Sequence, residues 1–120
     1  MFNLNSLLLF SEDPKALTNF YKKILKTDPV WEEGEYSGFM LGEGMLIIGL
    51  HDKVHGKNEH PERLIFNLTT KDVEKEFERI EKLDATVIKK PYHPGESKDM
   101  LIATFADPDG NYFQIATPME

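Results

Sequence analysis

The 120-residue chain predicts an α+β domain made of two strand–helix–three-strand (βαβββ) modules in tandem. Three observations carry that prediction. Two helix-start signals, at Asp13 and at about Thr70–Asp72, lie nearly sixty residues apart. Each helical pattern gives way to short segments of period two, broken by glycines or a polar loop. Each half then closes on a hairpin turn, Gly42–Gly44 in the first and Asp107-Pro108-Asp109-Gly110 in the second, about as far apart again. A single βαββαβ unit of the ferredoxin-like kind would leave two strands over.

In the first module a strand carrying Ser6, Leu8 and Phe10 leads to Asp13-Pro14, a capping side chain followed by proline where the missing N–H costs nothing. Leu17, Phe20, Tyr21, Ile24 and Leu25 then recur at three- and four-residue steps, with Lys15, Lys22, Lys23 and Lys26 off the stripe. This helix should stop before Asp28-Pro29, because proline disfavours helical φ/ψ in its predecessor. Strands are expected at 30–33, 36–41 and 45–50, and Met45–Ile48 is apolar on both faces, so both should be covered. Module one thus spans about 1–50 and a polar linker about 51–62. Module two, about 63–120, opens with a strand over 63–69. The helix from Thr70 follows, with Val73, Phe77, Ile80 and Leu83 as its stripe and Asp72 and Glu74 in its first turn. Strands over 86–90, 99–106 and 111–117 complete it, with a polar loop over 91–98.

Composition narrows the function classes. Mean hydropathy is -0.43, and no window approaches the roughly 18 apolar residues of a membrane span. The run Leu7–Phe10 has no basic residues before it and Glu12-Asp13 after it, so a signal peptide is not expected and a cytoplasmic location is. With no cysteine there is no disulfide, thiolate zinc site or cysteine nucleophile. The net charge of -7 and the scattered basic residues argue against nucleic acid and favour a cationic small ligand.

The closing segment, Ala103-Thr104-Phe105-Ala106-Asp107-Pro108-Asp109-Gly110-Asn111-Tyr112-Phe113-Gln114-Ile115, together with the duplicated order, resembles the vicinal-oxygen-chelate superfamily of glyoxalase I, extradiol dioxygenases and bleomycin-resistance proteins. The resemblance covers the whole chain. It implies curved mixed sheets around a concave groove, and in metal-using relatives His, Gln or Glu ligands from the first, fourth, fifth and eighth strands. Mapped here, those positions fall on Ser6 (Asn5 one residue out of register), on Ile47-Ile48-Gly49, on Leu64 or Ile65, and on Gln114. These residue types cannot hold a divalent ion in the family's manner, so no metal or other cofactor is expected and the resemblance points to the bleomycin-resistance-like type.

Alternation and the resemblance together give the expected ligand-binding residues: Ser6, Leu8 and Phe10 on the first strand, Ile65 and Asn67 on the fifth, and Tyr112 and Gln114 on the eighth. Trp31, Phe39, Ile48 and Met100 are added as liners. Leu64, Phe66, Leu68, Phe113 and Ile115 should face the helices. Glu32, Glu33, Glu35 and Glu43 surround Trp31 and Phe39 in sequence, a setting that suits an aromatic or cationic molecule. His51, His55 and His60 read as linker residues, because Gly56 and Pro61 interrupt any helix that could align them on a metal; His93 reads as part of a loop. The expectation is a homodimer that binds a small organic molecule and has no catalytic residues. The alternatives are a metal-dependent lyase or dioxygenase of the same superfamily, and a dimeric structural protein without a ligand.

Overall fold

The computed structural model describes residues 1–119. Its order is β1 (Ser6–Ser11), α1 (Pro14–Leu25), β2 (Trp31–Glu33), β3 (Tyr36–Leu41), β4 (Gly44–Leu50), a 3-10 turn (Pro61–Arg63), β5 (Phe66–Thr69), α2 (Val73–Glu81), β6 (Thr86–Tyr92), β7 (Ile102–Ala106) and β8 (Tyr112–Ala116). The strands form two four-stranded mixed sheets of the same topology, β1-β4-β3-β2 and β5-β8-β7-β6. In each, the first strand of the module runs parallel to the last and the remaining pairs are antiparallel. The chain divides into two compact units after Gly56, inside the polar stretch 51–62.

The duplication extends to the helix starts. Asp13 Oδ1 accepts from the Ala16 amide at 3.2 Å and Asp72 Oδ1 from the Lys75 amide at 3.1 Å. Two residues before each cap a hydroxyl, Ser11 Oγ or Thr70 Oγ1, accepts from the cap's own amide at 3.0 and 3.3 Å. Asp72, expected in the first turn of α2, is therefore its N-cap, and the helix begins one residue later. α1 ends at Leu25, well before Asp28-Pro29, because Lys26 turns left-handed with φ of 56° and stops it.

In the N-terminal unit Leu17, Phe20, Tyr21 and Ile24 bury one stripe of α1, and Phe39, Leu46 and Ile48 bury the helix side of the sheet. In the C-terminal unit Val73, Phe77 and Ile80 do the same against Ala103, Phe105, Phe113 and Ile115. Phe77, Phe105, Phe113 and Phe66 form a run of stacked rings with successive centroids 5.3, 5.6 and 6.1 Å apart. The terminal hairpin is as expected: Gly110 takes φ of 81°, and buried Asp107 accepts from the amides of Asp109 and Asn111 at 2.9 and 3.0 Å.

Three strands differ from the sequence reading by two residues or more at one end. β5 starts at Phe66 rather than 63, because Pro61 fixes φ for a 3-10 turn that consumes Arg63; Leu64, expected against the helix, is 57% exposed. β7 starts at Ile102 rather than 99: the Met100 amide donates to Ser97 Oγ and the Leu101 amide to Thr117 Oγ1 before the ladder begins. β6 runs on through Pro91 to Tyr92, which the ladder tolerates because β6 is an edge strand with irregular register.

Candidate functional site

Each sheet has one face covered by its helix and one face turned away from it. In the N-terminal sheet the paired residues Leu8, Ile47, Gly38 and Trp31 run in one row across the open face, one from each strand. The adjacent row holds Phe10, Gly49, Tyr36 and Glu33. Trp31 and Tyr36 lie flat on the sheet because the residues beneath them are glycines. A Cβ on Gly38 would sit 2.5 Å from the indole, and one on Gly49 would sit 2.5 Å from the phenol ring. The indole N–H points to Met45 Sδ at 3.2 Å and the Tyr36 hydroxyl donates to the Leu50 carbonyl at 3.4 Å. Phe10 meets Tyr36 edge-on at 6.3 Å and the His51 ring at 5.2 Å. Leu8 at 50% and Met40 at 46% exposed complete an apolar surface that stays open to solvent.

In the C-terminal sheet the equivalent row reads Asn67, Gln114, Thr104 and Lys89. Gln114 Nε2 donates to Thr104 Oγ1 at 3.0 Å, and Lys89 Nζ lies 4.3 Å from the centre of the Tyr92 ring. The next row holds Thr69, Ala116, Ile102 and Tyr92. Tyr112, opposite Ala106, is also on this face. This face carries two amides, a lysine and two tyrosines, with the Thr104 hydroxyl buried against Gln114.

Ser6, Leu8, Phe10 and Trp31 therefore share one open face, and Asn67, Tyr112 and Gln114 share the other. Two expected liners face the helix instead, and two lie outside the ladders. Phe39 and Ile48 are fully buried on the helix side, since they pair with Leu46 and Ser37 in the register that alternates away from Trp31. Ile65 precedes β5 and is outside the ladder. Met100 precedes β7 and lines a separate shallow hollow with Lys71, Asp99 and Thr117. The acidic cluster also divides: Glu32 pairs with Ser37 on the α1 side and lines a hollow there with Glu35, leaving Glu33 on the side of Trp31. Ile47, Gly38, Gly49, Tyr36, Met45 and Met40 were not singled out as liners. Reflecting the alternation through the two-residue turn Gly34-Glu35, which sets Glu33 opposite Tyr36 and so reverses the parity, would have found Tyr36, Gly38 and Met40.

The donor set does not fit a divalent ion. The open-face residues at the first, fourth, fifth and eighth strands are a serine, an isoleucine and two amides, one already bonded to Thr104. Among the described residues no three of His, Cys, Asp and Glu come together. His55 Nδ1 lies 3.2 Å from Glu12 Oε2, His51 Nδ1 accepts from the Lys53 amide, and His93 Nδ1 lies 2.9 Å from the Met100 carbonyl, so each ring has one nitrogen in local structure. The linker is also anchored, because Asn58 donates to the Asp109 carbonyl and to Asn111 Oδ1 in the terminal turn.

Two βαβββ units in tandem, each with a helix on one sheet face and an open second face, define a class of α+β proteins. The model of the glyoxalase-like domain matches residues 6–116, and the chain belongs to that family within the vicinal-oxygen-chelate superfamily. A glyoxalase/bleomycin resistance protein/dioxygenase family enzyme from Burkholderia phytofirmans superposes with a TM-score of 0.79 at 19% identity, over 98% of this chain and 100% of that one. A glyoxalase-related enzyme from Fulvimarina pelagi gives 0.79 at 18%, over 98% and 89%. The fosfomycin resistance protein FosX from Listeria monocytogenes gives 0.76 at 17%, over 99% and 95%. At these identities the likeness is one of fold. No curated protein matches the chain closely enough to carry an argument.

Proposed function

We propose that this chain is a cytoplasmic, homodimeric binding protein that sequesters a small, flat organic molecule on the open face of its N-terminal sheet, without chemistry and without a metal. One observation carries the reading: two aromatic rings, Trp31 and Tyr36, lie flat over Gly38 and Gly49 on a surface left exposed. A ring held parallel to a sheet offers its whole face for stacking at little entropic cost. Glu32 and Glu35 lie on the α1 side and leave Glu33 on this face, so the rings rather than the charge select the ligand and a planar aromatic suits it. One structural neighbour is a fosfomycin resistance protein, which accords with a small-molecule ligand.

The test uses the only tryptophan of the chain as its reporter. Neutral planar aromatics should quench Trp31 fluorescence saturably and raise the melting temperature, and Trp31→Ala should weaken binding by about 1–3 kcal/mol. A panel that changes neither signal overturns the reading. The exposed Leu8, Met40 and Ile88 also favour a second copy, since burying such surface returns roughly 25 cal/mol per Å². Light scattering should give a dimer at micromolar concentration; a monomer would refute that part.

A further inference from the structure

We propose a second binding site, on the opposite side of the N-terminal sheet, for a small zwitterion of the amino-acid or dipeptide class. α1 packs chiefly on β1 and β4. A helix about 10 Å across covers about two strands spaced roughly 4.8 Å apart, so the helix side of β2 and the outer end of β3 lie beyond its edge. The uncovered strip is a hollow of about 250 Å³ between the flank of α1 and the β2–β3 hairpin. It is smaller than the roughly 300–1,000 Å³ of pockets for drug-sized ligands, which fits a ligand of few atoms.

The chemistry of the two walls selects the ligand. Lys15, Thr18, Asn19 and Lys22 repeat at three- and four-residue steps and form the helix wall. Glu32 and Glu35, flanking Gly34 in its left-handed turn, form the hairpin wall. Buried Thr18 and Ser37 place hydroxyls in the lining. Two cations thus face two carboxylates, and among the described residues none of the four takes part in an ion pair. Opposite walls of opposite sign hold a field across the hollow that orients a dipolar molecule, carboxylate to the lysines and ammonium to the glutamates. A pure anion or cation would meet one favourable wall and one repulsive one.

Titration of the ¹⁵N-labelled full chain with glycylglycine, N-acetyl-glycylglycine and glycylglycinamide tests this. Glycylglycine should shift the amides of Thr18, Gly34 and Ser37 saturably, and each blocked analogue should bind about tenfold more weakly. Glu32→Gln should reduce the preference for a free ammonium while keeping the preference for a free carboxylate, and Lys22→Gln should do the reverse. Both side chains are solvent-accessible, so both variants should fold as the parent does. No shifts at millimolar peptide, equal affinity for all three peptides, or preferences left unchanged by both substitutions would overturn the site and identify the four charges as solvated surface. Trp31 fluorescence should not respond, which separates this result from the aromatic ligand proposed for the open face.

Discussion

Two rows of four residues, one from each sheet, show how a duplicated frame has diverged. At equivalent ladder positions the N-terminal sheet has Leu8, Ile47, Gly38 and Trp31, and the C-terminal sheet has Asn67, Gln114, Thr104 and Lys89. The helix-facing sides differ far less, with aromatic and aliphatic cores under helices capped the same way. Packing against a helix restricts one face to apolar side chains of suitable volume, whereas the open face carries no such restriction. Divergence is therefore concentrated where a ligand could be recognised. The difference between Gly38 and Thr104 is central, because one position makes room for a ring and the other fills the space with a hydrogen-bonded hydroxyl.

The largest effect is expected from removing that room. Gly38→Val drives two methyl groups into the volume of the indole, so Trp31 must leave the sheet; we expect a cost of about 1–3 kcal/mol in denaturant unfolding. Its fluorescence should shift to the red and any aromatic ligand should be lost. Thr104→Val, the same residue at the equivalent position, keeps the volume and should leave Trp31 fluorescence untouched. If both substitutions behave alike, the glycine bed is not what orients the indole.

A smaller effect tests what the modules share. Asp13→Ala and Asp72→Ala each remove one cap hydrogen bond of similar length and should each cost about 1 kcal/mol. A large inequality, read from urea midpoints, would show that the two helix starts are not energetically equivalent.

Much of the frame was legible because it rests on local chemistry. Asp13-Pro14, the stripe from Leu17 to Ile24 and the turn at Asp107–Gly110 act through their own backbone, so sequence spacing sufficed. The open-face residues Ser6, Leu8, Phe10, Asn67, Tyr112 and Gln114 followed from alternation on strands of regular register. Phe39 and Ile48 were misplaced because a strand apolar on both sides does not declare which face meets the helix. Ile65 and Met100 fall outside the ladders because a 3-10 turn and a side-chain-anchored loop shorten β5 and β7. Glu32 and Glu35, adjacent in sequence to the Trp31 and Tyr36 positions, lie in the hollow on the α1 side, which no count of nearby charges reveals.

The smallest effect probes the polar row alone. Gln114→Ala leaves the buried Thr104 hydroxyl without its side-chain partner, and an unsatisfied group of this kind costs about 1–3 kcal/mol, toward the low end here because the glutamine is only part-buried. Replacing both members, Gln114→Leu with Thr104→Val, removes donor and acceptor together and should return stability to within about 0.5 kcal/mol of the parent. A double-mutant cycle therefore distinguishes two origins for the row. If the pair is there for stability, the double substitution should remain as costly as the single one. If it is retained for recognition, stability should recover while whatever binds the polar face is lost, and Trp31 should report no change in either variant.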